Sequence, residues 1–135
     1  MKAVVLDTNV LVSGVLSAAG PPGRIVEAVI AGELSPVFDS AILEEYRDVL
    51  LRPELSLSPS RVAELVDAIE GCGTHLTVPP WPGELPDPDD APFLAVASAA
   101  RCVLVTGNLR HFPKSARAGV TVMSPREFLD EVLRR

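Results

Sequence analysis

Apolar residues follow two patterns, continuous runs and helical spacing, and the two patterns alternate along the chain. The runs at residues 2–7 (KAVVLD) and 102–106 (CVLVT) lack the polar alternation of a half-exposed strand, so they predict strands that are buried on both faces. Between such runs lie stretches in which apolar residues recur every three or four positions, which is typical of amphipathic helices. This alternation predicts an α/β fold whose parallel sheet is covered by helices on both faces.

Proline, glycine and capping residues indicate where the predicted elements end. Pro53 stops one helix, Gly71 follows another, and Ser124 begins a capping box with Glu127. Helices are predicted at 21–31, 40–52, 58–70, 90–101 and from Ser124 to about residue 134, and strands at 2–7, 34–39, 75–78, 102–106 and 120–123. No repeat or long linker divides the chain, so we expect one domain spanning residues 1–135.

Composition excludes several classes of protein. Hydrophobic residues make up 47% of the 135 residues, which opposes disorder. No apolar run approaches the roughly 18 residues of a membrane span, and the N-terminus lacks the features of a secretory signal, so we expect a soluble, cytoplasmic protein. Cys72 and Cys102 have no metal-site spacing and are predicted to be small buried apolar residues. The net charge of −6 opposes a nucleic-acid partner, unless several acids gather in one metal site.

Polar residues stand where two predicted strands end. Asp7 ends the first strand, and Thr106, Gly107 and Asn108 end the strong later one. In open α/β sheets, ligands bind outside the carboxyl ends of the strands, near the point where strand order reverses. Both strand ends are therefore expected at the edge of the sheet where chemistry takes place.

Glu45 is an acid on an apolar helix stripe. It lies three residues after Ile42 and four before Val49, on the stripe that also contains Tyr46 and Leu50. An ionised carboxylate is rarely buried unless it is paired or binds a metal. Two structural alternatives remain open, which are partial exposure at the edge of the stripe and a salt bridge to an arginine.

Three acids crowd the start of the alanine-rich helix at 90–101. Asp87, Asp89 and Asp90 lie within four residues, and Asp90 precedes the apolar pair Phe93 and Leu94. One acid at this place is an ordinary helix cap, and capping alone remains an open interpretation of the cluster. Three acids repel one another, however, and a cation among them would relieve that repulsion.

Asp7, Glu45 and Asp90 together form an oxygen-only donor set. Such ligands select hard cations such as Mg²⁺ or Mn²⁺, and the absence of an accompanying histidine or cysteine opposes zinc. His75 and His111 stand near no acid in the sequence, so each is predicted to be a surface or structural residue.

Four stretches in a fixed order carry a resemblance to a known family, followed by a closing VTVMSPREFL at 120–129. They are VVLDTNVLVSG at 4–14, ILEEYRDVLLRPE at 42–54, DPDDAPFLAVASAA at 87–100 and VLVTGNLRHFP at 103–113. With these stretches, the chain resembles the PIN-domain ribonucleases, particularly the small prokaryotic toxins of toxin–antitoxin pairs (VapC-type). The resemblance implies a three-layer α/β/α sandwich with a parallel sheet of about five strands.

The resemblance also implies a catalytic site. Asp7, Glu45 and Asp90 match the first three acids of the family, which hold Mg²⁺ or Mn²⁺, and Asn108 stands where a fourth acid is often found. An amide oxygen can ligate a metal or its water, but it brings no charge. The residues that would orient the acids by hydrogen bonds are Thr8, Asn9 and Thr106, with Asp87 assisting. The activity implied is metal-assisted hydrolysis of RNA.

A basic stretch and the family's usual partners complete this expectation. The basic residues are Arg110, His111, Lys114 and Arg117, and Arg110 and Lys114 are expected to contact the RNA backbone, although a solvated loop is the alternative. The resemblance further implies a small antitoxin protein and a homodimer, without a membrane partner.

Two other functions remain open. Asn108 in place of an acid fits a PIN-like domain that has lost turnover and serves as a binding or regulatory module. Strand-end aspartates are also nucleophiles in some phosphatases, but those sites usually carry a second acid two residues on, where this chain has Asn9.

Overall fold

The computed structural model describes residues 2–133 and contains a five-stranded sheet. The strands are β1 (Lys2–Leu6), β2 (Leu34–Phe38), β3 (Thr74–His75), β4 (Val103–Val105) and β5 (Val122–Met123). Every pairing is parallel, and the strand order is β3-β2-β1-β4-β5. The α-helices are α1 (Thr8–Leu16), α2 (Pro21–Ile30), α3 (Ser40–Leu50), α4 (Pro59–Cys72), α5 (Ala91–Ala100) and α6 (Pro125–Phe128).

Helices cover both faces of the sheet, which confirms the predicted fold class. Val4, Val5 and Leu6 are all fully buried, and successive side chains of a strand point to opposite faces. Helix α5 packs across β1, β2 and β4 and touches α3, while α2 packs on β2 and touches α1, α4 and α6. The central strand is therefore covered on both sides, as its unbroken apolar run predicts.

Side chains cap the first turns of several helices. The Asp39 carboxylate accepts a hydrogen bond from the Ile42 amide at 2.8 Å and starts α3. Ser58 accepts from the Arg61 amide at the start of α4, and Ser124 and Glu127 form the predicted capping box of α6. These side chains satisfy amides that have no partner within the helix.

Helix α1 was not predicted. Residues 8–16 contain several valines and a glycine, which favour strand or loop, yet they form a helix that packs closely on α2. Gly14 permits this packing, because a Cβ there would lie 2.4 Å from Val26 Cγ2 and 2.6 Å from the Pro22 carbonyl oxygen. The buried positions Val10, Leu11 and Gly14 do follow helical spacing, so a weak signal was present.

Other boundaries differ from the predictions. The strand predicted at 75–78 is Thr74–His75, and its last link to β2 is the hydrogen bond from the Leu76 amide to the Phe38 carbonyl at 2.8 Å. The last helix is α-helical only over Pro125–Phe128 and continues as a π-helix over Leu129–Leu133, and its predicted end at residue 134 lies outside the described residues. Cys72 is exposed and Cys102 half-buried, so the prediction of two buried cysteines was wrong. Within residues 2–133, no helix has the length and hydrophobicity needed to cross a bilayer.

The order of the strands determines where a ligand site is expected. Strands β1, β2 and β3 run outward in one direction, and the chain then crosses back to place β4 on the other side of β1. The order therefore reverses between β1 and β4, where a crevice at the carboxyl ends of the strands is the usual ligand site. Asp7 and Thr106 follow these two strands, and the Asp7 amide donates to the Val105 carbonyl at 2.9 Å.

Candidate active site

Asp7 lies buried at the switch point, with 5% of its surface exposed. It is the N-cap residue of α1, yet its side chain makes no capping bond. Its Oδ2 atom instead accepts hydrogen bonds from Thr106 Oγ1 at 2.8 Å and from Asn9 Nδ2 at 3.3 Å. Burial raises the pKa of Asp7 above its ordinary value, and the Thr106 hydrogen bond opposes that rise.

The turn after β4 is tied to the same carboxylate. Thr106 Oγ1 accepts from the Asn108 amide at 3.0 Å while it donates to Asp7. The Gly107 amide donates to Asn9 Oδ1 at 3.1 Å, and a Cβ on Gly107 would lie 3.2 Å from that oxygen. Two side chains, Asn9 and Thr106, therefore fasten the ends of β1 and β4 together. Asn108 takes part through its backbone, and its side chain has no hydrogen-bond partner among residues 2–133.

Glu45 reaches the site from α3. It is half-buried, and its Oε2 atom accepts a hydrogen bond from the Thr8 hydroxyl. The Thr8 side chain thus orients Glu45 and not Asp7. The neighbouring Tyr46 hydroxyl donates to the Leu6 carbonyl oxygen, which holds α3 against the end of β1. Burial raises the pKa of Glu45, the Thr8 hydrogen bond opposes this, and the charge of Asp7 adds to it.

The suggested arginine partner of Glu45 is absent from the described part of the chain. Arg47 of α3 pairs with Glu70, and Arg52, which follows α3, pairs with Asp48. Partial exposure, the other alternative for Glu45, is what the structure shows.

Asp90 ends a short 3-10 turn (Pro88–Asp90) and directly precedes α5. Only 9% of its surface is exposed, and its side chain does not cap the helix. Its pKa rises to about 6, chiefly because of burial and then because of the charge of Asp7. Asp87 does cap, since its Oδ1 atom accepts from the Asp89 amide at 2.9 Å. The capping interpretation therefore holds for Asp87 and fails for Asp90.

A pocket of about 270 Å³ opens beside Glu45. It is lined by residues of α3 and of the segment that leads into α5: Ala41, Ile42, Glu45, Pro88, Asp89, Pro92 and Phe93. Exposed Asp89 lies in this lining and not among the buried acids.

Comparison with known proteins decides the family. The PIN-domain family model matches residues 3–110, which contain every acid described above. The chain belongs to the PIN-domain family. PIN domains are generally nucleases, so the broad class of activity is hydrolase. A relative from Methanocaldococcus jannaschii, "Uncharacterized protein MJ1680", is 25% identical over 139 aligned positions, covering 95% of this chain and 90% of the relative.

The acids of this PIN domain fit a divalent cation in chemistry, although they do not form a closed cluster. Asp7, Glu45 and Asp90 offer only oxygen donors, which suit Mg²⁺ or Mn²⁺. The charge of Asp7 raises the pKa of both Glu45 and Asp90, and Asp90 Oδ2 is buried without an aligned hydrogen-bond donor. Within residues 2–133, however, no three histidine, cysteine, aspartate or glutamate side chains are already arranged to hold one ion.

His111 is a partly exposed residue of the turn after β4 that contacts one of the acids. Its Nδ1 atom lies 2.9 Å from Asp90 Oδ2, although the two residues are 21 positions apart in the sequence. The other histidine, His75, stacks on Phe38 and contacts the Ser40 hydroxyl at 3.0 Å, away from the acids. Sequence distance did not reveal the His111 contact, because the turn after β4 brings the histidine back over the start of α5.

The basic stretch divides into two kinds of residue. Arg110 and Lys114 are exposed and have no ion-pair partner among residues 2–133. Arg117 instead donates from Nε to the Phe112 carbonyl oxygen at 2.8 Å, and Phe112 is fully buried. Arg117 therefore fixes the loop, while Arg110 and Lys114 remain available for a ligand.

Proposed function

We propose that this PIN domain is a Mg²⁺- or Mn²⁺-dependent ribonuclease that hydrolyses RNA phosphodiester bonds. One observation carries the proposal: Asp7, Glu45 and Asp90 lie around the switch point of a parallel sheet with raised pKa values, and the charge of Asp7 contributes to the rise at both of the others. Acids that repel one another in this way are typical of functional sites. Asn108, next to this group, is proposed to complete the catalytic set.

Neighbouring side chains orient the acids that would bind a cation. Asp7 and Asp90 would hold the ion with Glu45, while Thr106 and Thr8 keep Asp7 and Glu45 in fixed orientations. When bound, a divalent ion supplies charge neutralisation at the phosphate and acidifies the attacking water. No Ser–His or Cys–His pair is hydrogen-bonded near Asp7 in residues 2–133, which supports direct attack by water over a covalent intermediate.

The proposed RNA contact surface is formed by Arg110 and Lys114. Both lie close to His111 in the sequence, and His111 contacts Asp90, so this segment adjoins the acid site. Unpaired cations beside an acidic site would attract the phosphate backbone of a nucleic acid.

Cleavage assays test the nuclease proposal. We expect the protein to cleave RNA in the presence of Mg²⁺ or Mn²⁺, to lose activity in EDTA, and to lose it on substitution Asp7→Asn. Asp67→Asn is the matched control, because Asp67 is exposed on α4. DNA of the same sequence tests the preference for RNA. If metal binds without cleavage, the chain is a binding module and the nuclease proposal fails. A trapped phosphoryl group on Asp7 would identify a phosphatase.

Binding assays test the RNA surface. We expect Arg110→Glu and Lys114→Glu each to weaken RNA binding for all sequences and to reduce the salt slope by about 1. Arg24→Glu is the control, since Arg24 is exposed on α2 and lies in another part of the chain. Unchanged affinity and slope in both variants would show that the segment is a solvated loop.

The toxin role, a small antitoxin partner and a homodimer are proposed from the family resemblance. We expect an inhibitory small protein to co-purify with the chain from its own cells, and we expect the purified chain to have the mass of a dimer in light scattering. Cleavage without such an inhibitor would leave a nuclease that is no toxin, and a monomeric mass would overturn the dimer.

A further inference from the structure

Each of the three acids has a neighbouring side chain that contacts one of its oxygens. The Thr106 hydroxyl holds Asp7 Oδ2, and the Thr8 hydroxyl holds Glu45 Oε2. For Asp90, the neighbour is His111, whose Nδ1 atom lies 2.9 Å from Oδ2 in an ion-pair contact that is not aligned as a hydrogen bond in the metal-free chain. Carboxylates that bind metal ions are commonly oriented by such neighbours. His111 occupies for Asp90 the position that the two threonines occupy for the other acids.

The backbone that carries His111 is held on both sides. The His111 amide donates to the Asn108 carbonyl at 3.1 Å, and the following residue, Phe112, is fully buried. Arg117 adds its hydrogen bond to the Phe112 carbonyl oxygen. The imidazole is therefore presented from a fixed turn, and its contact with Asp90 does not depend on a long mobile side chain.

The contact also defines which part of Asp90 is open. Oδ2 is buried completely, whereas the side chain as a whole keeps 13% of its surface exposed. The exposed surface of the Asp90 side chain therefore does not include Oδ2, the oxygen that faces His111. A cation that approaches from solvent meets the rest of the carboxyl group, which leaves the oxygen beside His111 for the imidazole.

We propose that His111 is a positioning residue for Asp90, which holds Oδ2 through Nδ1 and so prepares the carboxylate to bind the divalent ion. This inference rests on the proposed metal-dependent function. It assigns His111 a role through Asp90 rather than a contact with the RNA, and it connects the basic segment to the acid site.

Direct measurement of Mn²⁺ binding to the full chain tests this role without any substrate. We expect His111→Ala to weaken Mn²⁺ binding by about 10-fold to 100-fold, the usual effect of removing a residue that orients a metal ligand. His111→Asn should recover most of the lost affinity, because the asparagine amide offers an N–H donor near the position of Nδ1. His75→Ala is the matched control and should bind Mn²⁺ as the native chain does.

Three results would overturn the inference, and one of them would also overturn the proposed function. If His111→Ala binds Mn²⁺ as tightly as the native chain, or if His111→Asn is as weak as His111→Ala, the Nδ1 contact does not position Asp90. If the native chain binds no Mn²⁺, the metal-dependent function itself fails. In cleavage assays, a high Mn²⁺ concentration should restore kcat in His111→Ala, whereas a lost RNA contact would raise KM at every Mn²⁺ concentration.

Discussion

Asp90→Asn should stabilise the metal-free protein, although it removes a proposed metal ligand. The pKa of Asp90 rises from 3.8 to about 6 in the folded protein, because the carboxylate is buried and lies near Asp7. A difference of this size corresponds to about 3 kcal/mol at about 1.4 kcal/mol per pH unit. Solvent screening of a side chain that keeps some exposure reduces this figure, so we expect a gain of about 1–2 kcal/mol at neutral pH.

The pH dependence identifies the cause of that gain. Because the folded-state pKa is raised, ionised Asp90 costs no stability below its unfolded value of 3.8, and the cost develops as the pH rises through about 6. The advantage of Asp90→Asn should therefore be complete at about pH 7.5 and roughly halved at about pH 5. Urea unfolding in EDTA at the two pH values measures it.

The control and the metal response sharpen this test. Asp67→Asn removes an exposed carboxylate of α4 and should change stability little at either pH. Added Mg²⁺ should stabilise the native chain and leave Asp90→Asn nearly unaffected, because only the native chain gains binding free energy. The reasoning is refuted if Asp90→Asn is no more stable than the native chain at neutral pH, or if its gain is the same at both pH values.

Three further substitutions test the framework around the site by urea unfolding. Thr106→Val removes the buried hydroxyl that joins the two strand ends and should cost about 1–3 kcal/mol. Tyr46→Phe leaves the Leu6 carbonyl without its donor and should cost about 1–2 kcal/mol. Gly14→Ala pushes a methyl group into Val26 and should cost about 1–3 kcal/mol through overpacking. An unchanged unfolding midpoint in any of the three would contradict the contact on which it rests.

The fold was largely readable from the sequence, because its strands and most helices carry strong local patterns. The apolar runs of β1 and β4 and the capping box of α6 appear where the residues predicted them. Helix α1 was missed because its valines and Gly14 disfavour a helix locally. Its stability comes from packing on α2, and tertiary packing overrides local propensity.

The candidate site was readable only in part. The acids at Asp7, Glu45 and Asp90 stood out, because each is a charge at a place where local patterns predict burial. The partner of Asp90 did not stand out, since His111 is an ordinary polar residue in a loop until the strand order is known. Which acid Thr8 orients was hidden for the same reason, because its hydroxyl crosses to α3 and joins Glu45. Pairings between distant segments depend on topology, which no local pattern specifies.

At the switch point between β1 and β4, the buried acids reduce the stability of the metal-free protein but provide the proposed metal site. Burial makes each of the three acids harder to ionise, and Thr106, Thr8 and His111 offset only part of that cost with one contact each. A divalent ion would offset the remaining repulsion, so the folded chain gains most from binding when all three acids are ionised. Cation affinity should therefore rise with pH through the range in which Asp90 loses its proton, near pH 6. The stability of the metal-free protein should fall over that same range. If the acids had only a structural role, cation affinity would not rise with pH while stability falls.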